Sequence, residues 1–175
     1  MTRETAIENA AHFFDTGQFA RELGELVAHP SVSQSPDYAA ELPRYLEEAL
    51  VPRLAALGFT CAVHPNPVPD AGPIMVAERI EDVALPTILS YGHGDVIRAQ
   101  TDQWRDGLHP FRLIDEGDRL YGRGTADNKG QHLINLAALR AVIDAKGSLG
   151  FNIRFLIEMG EETGSPGLSE FCAVH

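Results

Sequence analysis

The stretch FNIRFLIE, residues 151–158, decides the fold class of this chain. Its centre is almost continuously apolar, which is typical of a strand covered on both faces rather than one with a solvated face. Just upstream, residues 128–146 form the clearest helical pattern in the chain, and the pattern ends at Gly147. A long helix followed directly by a buried strand indicates an α/β fold.

Helical and extended patterns alternate through the rest of the chain as well. Pro43 and Pro52 are expected to bend or break one of the helices. The last helix is expected to open with Ser165 as its cap and Pro166 at its first position. Helices are predicted at 19–29, 37–57 and from 165 onward, and strands at 59–64, 74–80, 85–91, 111–114 and 119–121.

Composition narrows the classes of partner. The 175 residues include 14 Lys and Arg against 25 Asp and Glu, for a net charge of −11. This acidity argues against a nucleic-acid partner and against an anionic membrane surface, both of which need basic patches. No apolar run approaches the ~18 residues of a membrane span. Cys61 and Cys172 lack the spacing of a thiolate zinc site, so we expect a cytoplasmic protein with reduced thiols.

Three polar clusters each follow a predicted strand, where ligands of open α/β sheets bind. The first is YGHGDV, residues 91–96. His93 and Asp95 are two positions apart and therefore lie on the same side of an extended segment. Imidazole is a good zinc ligand, and a carboxylate on its other nitrogen fixes the ring. A structural histidine with satisfied hydrogen bonds is the alternative.

The second cluster is LYGRGTADNKG, residues 120–130, which places Asp127 at the turn before a helix. A carboxylate is favoured there, so a plain helix cap is one alternative. A phosphate-binding loop is another, although the third glycine and the Gly-Lys-Ser/Thr sequence are missing. The third cluster is EMGEETGS, residues 158–165, where Glu161 and Glu162 project in different directions. One of them can bind a metal while the other reaches a water on that metal, and solvated loop charge is the alternative.

The three clusters together indicate a metal site more strongly than any one of them does alone. Asp127 follows His93 by 34 residues, and Glu161 follows Asp127 by 34. Each interval is long enough for a crossover connection between strands. A set of one histidine and several carboxylates without cysteine suits a hydrolytic zinc site, particularly one with two metals.

These residues resemble the dinuclear zinc peptidase family that includes acetylornithine deacetylase, succinyl-diaminopimelate desuccinylase, carnosine dipeptidase and the glutamate carboxypeptidases. The resemblance runs from about residue 30 to the end, and residues 121–130 look most like the dipeptidase branch. It implies a three-layer α/β catalytic domain with a mixed, mostly parallel sheet and helices on both faces. Residues 1–175 would be the N-terminal part of that domain, without its C-terminal part and without the lid or dimerisation domain.

The resemblance also implies roles for individual residues. His93 would bind one zinc, Asp95 would hold its ring, Asp127 would bridge both zincs and Glu162 would bind the other. Glu161 would be the general base that takes a proton from the bridging water and delivers it to the leaving amine. Co²⁺ or Mn²⁺ could replace Zn²⁺ in such a site. A cis peptide bond is implied between Asp127 and Asn128.

The implied activity is hydrolysis of an amide bond in a small peptide or an N-acyl amino acid. The family's site takes five protein ligands and only three of them are present, with His175 in the wrong place to serve. We therefore expect this chain to bind zinc weakly and to be inactive by itself. A natural, degenerate relative that binds a partner or a single metal is the alternative. Apolar surface that later strands would cover is expected to be exposed or buried by self-association, for example in a homodimer.

Overall fold

This computed structural model describes residues 2–175, in which a run of helices is followed by a run of strands and then by a long helix, a strand and a short helix. No helix in that range combines the length and apolarity that a membrane crossing requires. In chain order the elements are α1 (Arg3–Asp15), α2 (Gln18–Ala28), α3 (Glu41–Arg44), a π-helical segment (Tyr45–Leu50), α4 (Val51–Ala56), β1 (Thr60–His64), β2 (Ile74–Arg79), β3 (Thr87–His93), β4 (Ile114–Asp115), β5 (Leu120–Tyr121), α5 (Lys129–Lys146), β6 (Asn152–Glu158) and α6 (Leu168–Cys172).

The main sheet has the strand order β1-β2-β6-β3 within the described chain, and β4 and β5 form a separate pair. β1–β2 and β2–β6 are antiparallel, whereas β3–β6 is parallel. The predicted α/β class with a mixed sheet is confirmed, but the expectation of a mostly parallel sheet is wrong for these residues. A short loop, residues 65–73, lets β2 turn back beside β1, and the crossover that parallel neighbours require is supplied between β3 and β6 by the segment that includes α5.

Helices cover one face of this sheet. Alternate residues of β6, Ile153, Phe155 and Ile157, are buried in the core together with side chains of α2, the π-helical segment and α5. On the other face, Leu156 and Phe171 line an open groove of about 380 Å³. The expectation of helices on both faces is therefore correct for one face, while in residues 2–175 only the short α6 borders the other. The sequence of β6 has apolar residues on both faces of the strand, but it does not indicate which element covers each face.

One helix was not predicted, and another begins later than predicted. α1 was not predicted because its sequence has only a weak apolar stripe, in keeping with the burial of only Phe13 among its residues. α6 begins at Leu168 rather than at Ser165–Pro166. Ser165 has a φ of 52°, and its hydroxyl donates to the Glu158 carboxylate at 2.8 Å instead of capping a helix. The predicted helix 37–57 is irregular but not broken, because α3, the π-helical segment and α4 follow one another without a gap from residue 41 to residue 56.

Candidate metal centre

The first and third polar clusters meet because β3 and β6 are parallel neighbours. Their C-terminal residues, His93 and Glu158, are directly paired, and the Gly94 N–H donates to the Glu158 carbonyl at 2.9 Å. The carboxyl ends of parallel strands lie at one edge of a sheet, where α/β proteins place their ligands. Glu161 and Glu162 follow in a short 3₁₀ turn and therefore lie next to His93.

The His93 ring is held by carboxylates on both of its nitrogens. Nδ1 lies 3.3 Å from Asp95 Oδ1 and 3.1 Å from the Asp95 carbonyl oxygen. Nε2 lies 2.9 Å from Asp127 Oδ1 and 3.9 Å from Glu161 Oε2. This arrangement directs Nε2 toward the acidic cluster while Asp95 fixes the ring plane, as expected for a histidine that binds a metal through Nε2.

Asp95 connects this histidine to the Glu161–Glu162 turn. Its side chain is fully buried, and its Oδ1 and Oδ2 accept the backbone N–H groups of Glu161 and Glu162, each at 3.2 Å. A buried carboxylate must have its oxygens hydrogen-bonded, and these N–H groups together with His93 satisfy that need. The first and third clusters are therefore held in a fixed relation to each other.

Asp127 reaches the centre from the loop before α5. Its side chain is 70% exposed, and the Asp127–Asn128 peptide bond is cis, which confirms the prediction. Asn128 takes the N-cap position of α5 without a side-chain cap, and its Oδ1 instead accepts the His93 N–H at 3.3 Å. Asp127 contacts His93 rather than capping the helix, so the helix-cap alternative does not describe it.

Lys129, which the sequence reading did not single out, anchors the same loop from behind. It is completely buried, and its Nζ donates to the carbonyls of Leu26 at 3.1 Å and His29 at 2.6 Å. The ammonium also lies over the Tyr45 ring, 4.6 Å from its centroid. A lysine in the first turn of a helix normally faces solvent, and nothing in the local pattern indicated this burial.

The centre has more carboxyl groups than positively charged groups, which favours the binding of a cation. Burial by itself would lower the pKa of His93, but the hydrogen bonds and charges of Asp95 and Asp127 outweigh it and raise that pKa to about 9. Burial raises the pKa of Glu162, the His93 charge opposes this, and the neighbouring carboxylates add to the increase. Without a metal, a protonated His93 is the positive charge among four carboxyl groups, a role that a bound divalent cation can take over.

The geometry of these residues fits a metal ion. One donor atom from each of His93, Glu161 and Glu162 lies within 4.8 Å of the other two. His93 Nε2 and Asp127 Oδ1, 2.9 Å apart, are close to the ~3.3 Å separation of two ligand atoms on one tetrahedral zinc. Imidazole and carboxylate donors suit Zn²⁺, and they also accept Mn²⁺ or Co²⁺. His175 lies elsewhere, stacked on Phe171 at the open groove.

Residues 31–34, which no sequence motif singled out, form a further part of the centre. Val32 forms a parallel bridge with Val96, and the Ser31 hydroxyl donates to the Gly94 carbonyl at 2.7 Å. Gln34 contacts the Glu161–Glu162 turn. The alternation of Ser and Val with Gln was the available signal, but only the folded chain shows which backbone this segment faces.

The sequence of this chain is similar to those of known peptidases. Residues 89–175 match peptidase family M20/M25/M40. The chain is 34% identical to the Beta-Ala-His dipeptidase of Homo sapiens over 176 residues, which cover 94% of this chain and 34% of that protein. It is 35% identical to the cysteinylglycine-S-conjugate dipeptidase of Corynebacterium striatum over 146 residues, which cover 82% of this chain and 30% of that protein.

Solved structures of dipeptidases have a similar fold. Human carnosine dipeptidase 1 superposes with a TM-score of 0.82 at 33% identity, over 94% of this chain and 37% of that one. The dipeptidase Dug1p of Saccharomyces cerevisiae superposes with a TM-score of 0.83 at 26% identity, over 96% and 36%. The chain thus spans about a third of the length of the relatives it matches. The chain belongs to peptidase family M20/M25/M40.

Proposed function

We propose that this chain forms part of the active site of a metal-dependent hydrolase that cleaves the amide bond of a dipeptide or an N-acyl amino acid. The observation that carries the proposal is the convergence of His93, Glu161 and Glu162 within 4.8 Å, with Asp127 against His93 Nε2. The dipeptidase names of the most similar relatives support the substrate class. Two zinc ions per complete site are proposed, with Co²⁺ or Mn²⁺ as substitutes.

In this mechanism His93, Asp127 and Glu162 would hold the metal, and Asp95 orients the His93 ring. Bound zinc would polarise the carbonyl of the scissile amide and acidify a water molecule. Glu161, with its exposed carboxylate 3.9 Å from His93 Nε2, takes the proton of the attacking water and passes it to the leaving amine.

We place the protein in the cytoplasm, in keeping with its two free cysteines, Cys61 and Cys172.

Metal binding by the chain itself tests the proposal. Titration with Co²⁺, followed by its absorption spectrum, should show saturable binding that His93→Ala weakens at least tenfold. His12→Ala is the matched control, because His12 is exposed on α1, away from the centre, and should leave the affinity unchanged. Equal affinities of the wild type and the His93→Ala variant would contradict the proposal.

Stoichiometry and turnover separate the two interpretations of the site. Because this chain offers three of the five ligands implied by the resemblance, we expect weak metal binding and no dipeptide hydrolysis by the chain alone. One ion per chain, held by His93, Glu161 and Glu162, would favour the degenerate single-metal relative. Two tightly bound ions with turnover would show that the ligands present here are sufficient.

A further inference from the structure

The segment Ser31–Gln34 runs alongside the residues that follow His93 and is bonded to them repeatedly. The Val96 N–H donates to the Ser31 carbonyl at 2.9 Å, and the Ser33 N–H donates to the Val96 carbonyl at 3.3 Å. The Ser31 hydroxyl donates to the Gly94 carbonyl at 2.7 Å. The segment is therefore fixed to the backbone that carries His93 and Asp95. As a result, the position of its last residue, Gln34, is fixed relative to His93 and Asp95.

Its last residue, Gln34, contacts the Glu161–Glu162 turn. The Gln34 Nε2 group donates to the Glu162 carbonyl at 2.9 Å, and Gln34 Oε1 accepts the Arg98 N–H at 3.3 Å. One partner is a carbonyl and the other an N–H group, so only one orientation of the side-chain amide satisfies both. Neither a carboxylate nor an apolar side chain of the same length can make both bonds.

The backbone around Glu162 is consequently held from two sides. Asp95 Oδ2 accepts the Glu162 N–H at 3.2 Å, and Gln34 binds the Glu162 carbonyl at 2.9 Å. The hydrogen bonds within the turn use the carbonyls of Gly160 and Glu161, which accept the N–H groups of residues 163, 164 and 165, and none of these bonds involves the Glu162 carbonyl. A ligand on so short a turn needs such supports to keep its carboxylate in place.

We propose that Gln34 is a positioning residue, which sets the orientation of Glu162 toward the metal by holding its carbonyl. The proposal rests on the function proposed above, in which Glu162 is a metal ligand. Both polar atoms of the Gln34 side chain bond backbone groups, so its proposed role is not that of a metal ligand. It acts through the backbone of Glu162, and it ties that backbone to the segment that also fixes the position of His93.

The test compares Gln34→Glu with Gln103→Glu. The first keeps the side-chain length and the acceptor for the Arg98 N–H, but replaces the donor to Glu162 with an oxygen that its carbonyl repels. The second makes the same charge change in a distant exposed turn, Thr101–Gln103. Hydrogen exchange of the Glu162 amide, measured by NMR on the metal-free chain, should become about tenfold faster in Gln34→Glu only. Equal exchange rates in the two variants would overturn the proposal.

Co²⁺ affinity gives a second readout in which charge and positioning have opposite effects. An added carboxylate near the centre should by itself tighten cation binding, whereas a displaced Glu162 should weaken it about tenfold. We expect weaker binding in Gln34→Glu, and also in the uncharged Gln34→Leu, with little change in thermal stability because Gln34 is half-exposed. Unchanged or tighter binding in both variants would overturn the proposal.

The two readouts also separate this proposal from the proposed function. If the wild-type chain binds no Co²⁺, the metal-dependent function fails, and amide exchange in the metal-free chain still decides whether Gln34 holds Glu162. If the wild type binds Co²⁺ and the exchange and affinity of both Gln34 variants match those of Gln103→Glu, the function stands and the role of Gln34 is refuted.

Discussion

At the scale of single residues, Asp95 organises the centre more than any residue that would touch the metal. Its buried carboxylate serves His93 and the backbone of Glu161 and Glu162, whereas Asp127 is largely exposed and is held through His93. A spacing of two residues was enough to predict the contact with His93. The bonds to the Glu161–Glu162 turn depend on the parallel pairing of β3 with β6, which no local pattern specifies.

His132 provides a prediction on pH dependence. It is buried on α5, and its Nε2 has no hydrogen-bond partner among residues 2–175, while Nδ1 can accept from the Tyr45 hydroxyl at 3.4 Å. Burial, followed by the charges of His93 and Lys129, lowers its pKa to about 3. The folded chain therefore keeps this ring neutral, whereas the unfolded chain protonates it below about pH 6.5. Stability is lost as the pH falls from about 6.5 toward 3.

Denaturant unfolding of the wild type and of His132→Leu at pH 7.5 and pH 5 checks this prediction. The wild type should lose about 2 kcal/mol more than the variant between these two pH values, because the variant lacks the titrating ring. Carboxylates titrate in both proteins, so their contribution cancels in the comparison. Parallel losses in the two proteins would mean that His132 is not held neutral.

At the scale of elements, the start of α5 positions Asp127, and it does so by close backbone approach. A Cβ placed on Gly130 would lie 1.9 Å from the Thr125 carbonyl oxygen, so no larger residue fits without moving the helix or the loop. Lys129 ties the same turn to the C-terminal end of α2 through the Leu26 and His29 carbonyls. Two adjacent residues of α5 thus fix the loop that presents Asp127 to His93.

A pair of glycine substitutions tests this arrangement. Gly130→Ala should lower the free energy of unfolding by about 2 kcal/mol, because overpacking against backbone outweighs the gain in helix propensity. Gly24→Ala is the matched control, since its Cβ would meet Leu113 at an ordinary 3.6 Å and alanine should stabilise α2 by up to about 1 kcal/mol. Chemical denaturation measures both, and a neutral or stabilising Gly130→Ala would show that the turn can yield.

At the scale of the whole molecule, the sheet has an exposed edge strand, β3, and a face that helices cover only in part. β3 has no neighbour on its outer side within residues 2–175, and Leu89 and Tyr91 on it are 64% and 50% exposed. β3 carries no charged residue other than its terminal His93, although the chain has a net charge of −11. Exposed apolar edge strands without charged residues favour pairing with another chain.

Self-association should therefore increase with protein concentration and depend on β3. Sedimentation velocity is expected to show dimers or larger species for the wild type, and fewer of them for Leu89→Lys, because a lysine on the edge strand adds charge repulsion and disfavours pairing. Val83→Lys is the control, since Val83 is 93% exposed but lies in the loop before β3. Identical behaviour of the two variants would show that the β3 edge is not the contact.

The sequence by itself determined the residue types of the centre and the local elements that carry them. Helical and extended periodicity predicted α2, α5 and β6 closely, and the polar clusters that contain His93, Asp127 and Glu161 were recognisable because each begins at or soon after the end of a strand. These features depend on neighbours in the chain and on motif chemistry. The cis peptide bond between Asp127 and Asn128 was predicted from the resemblance to a known family and not from local patterns.

Only the tertiary structure decided how the strands pair and which polar side chains are buried. The antiparallel pairing of β2 with β6 joins strands that are far apart in the chain, and sequence periodicity carries no strand direction. The burial of Lys129 and the contact of Gln34 with Glu162 each join residues separated by about 100 positions or more. Such contacts arise when the whole chain packs, because a buried ammonium or amide is stable only where distant carbonyl groups accept its hydrogen bonds.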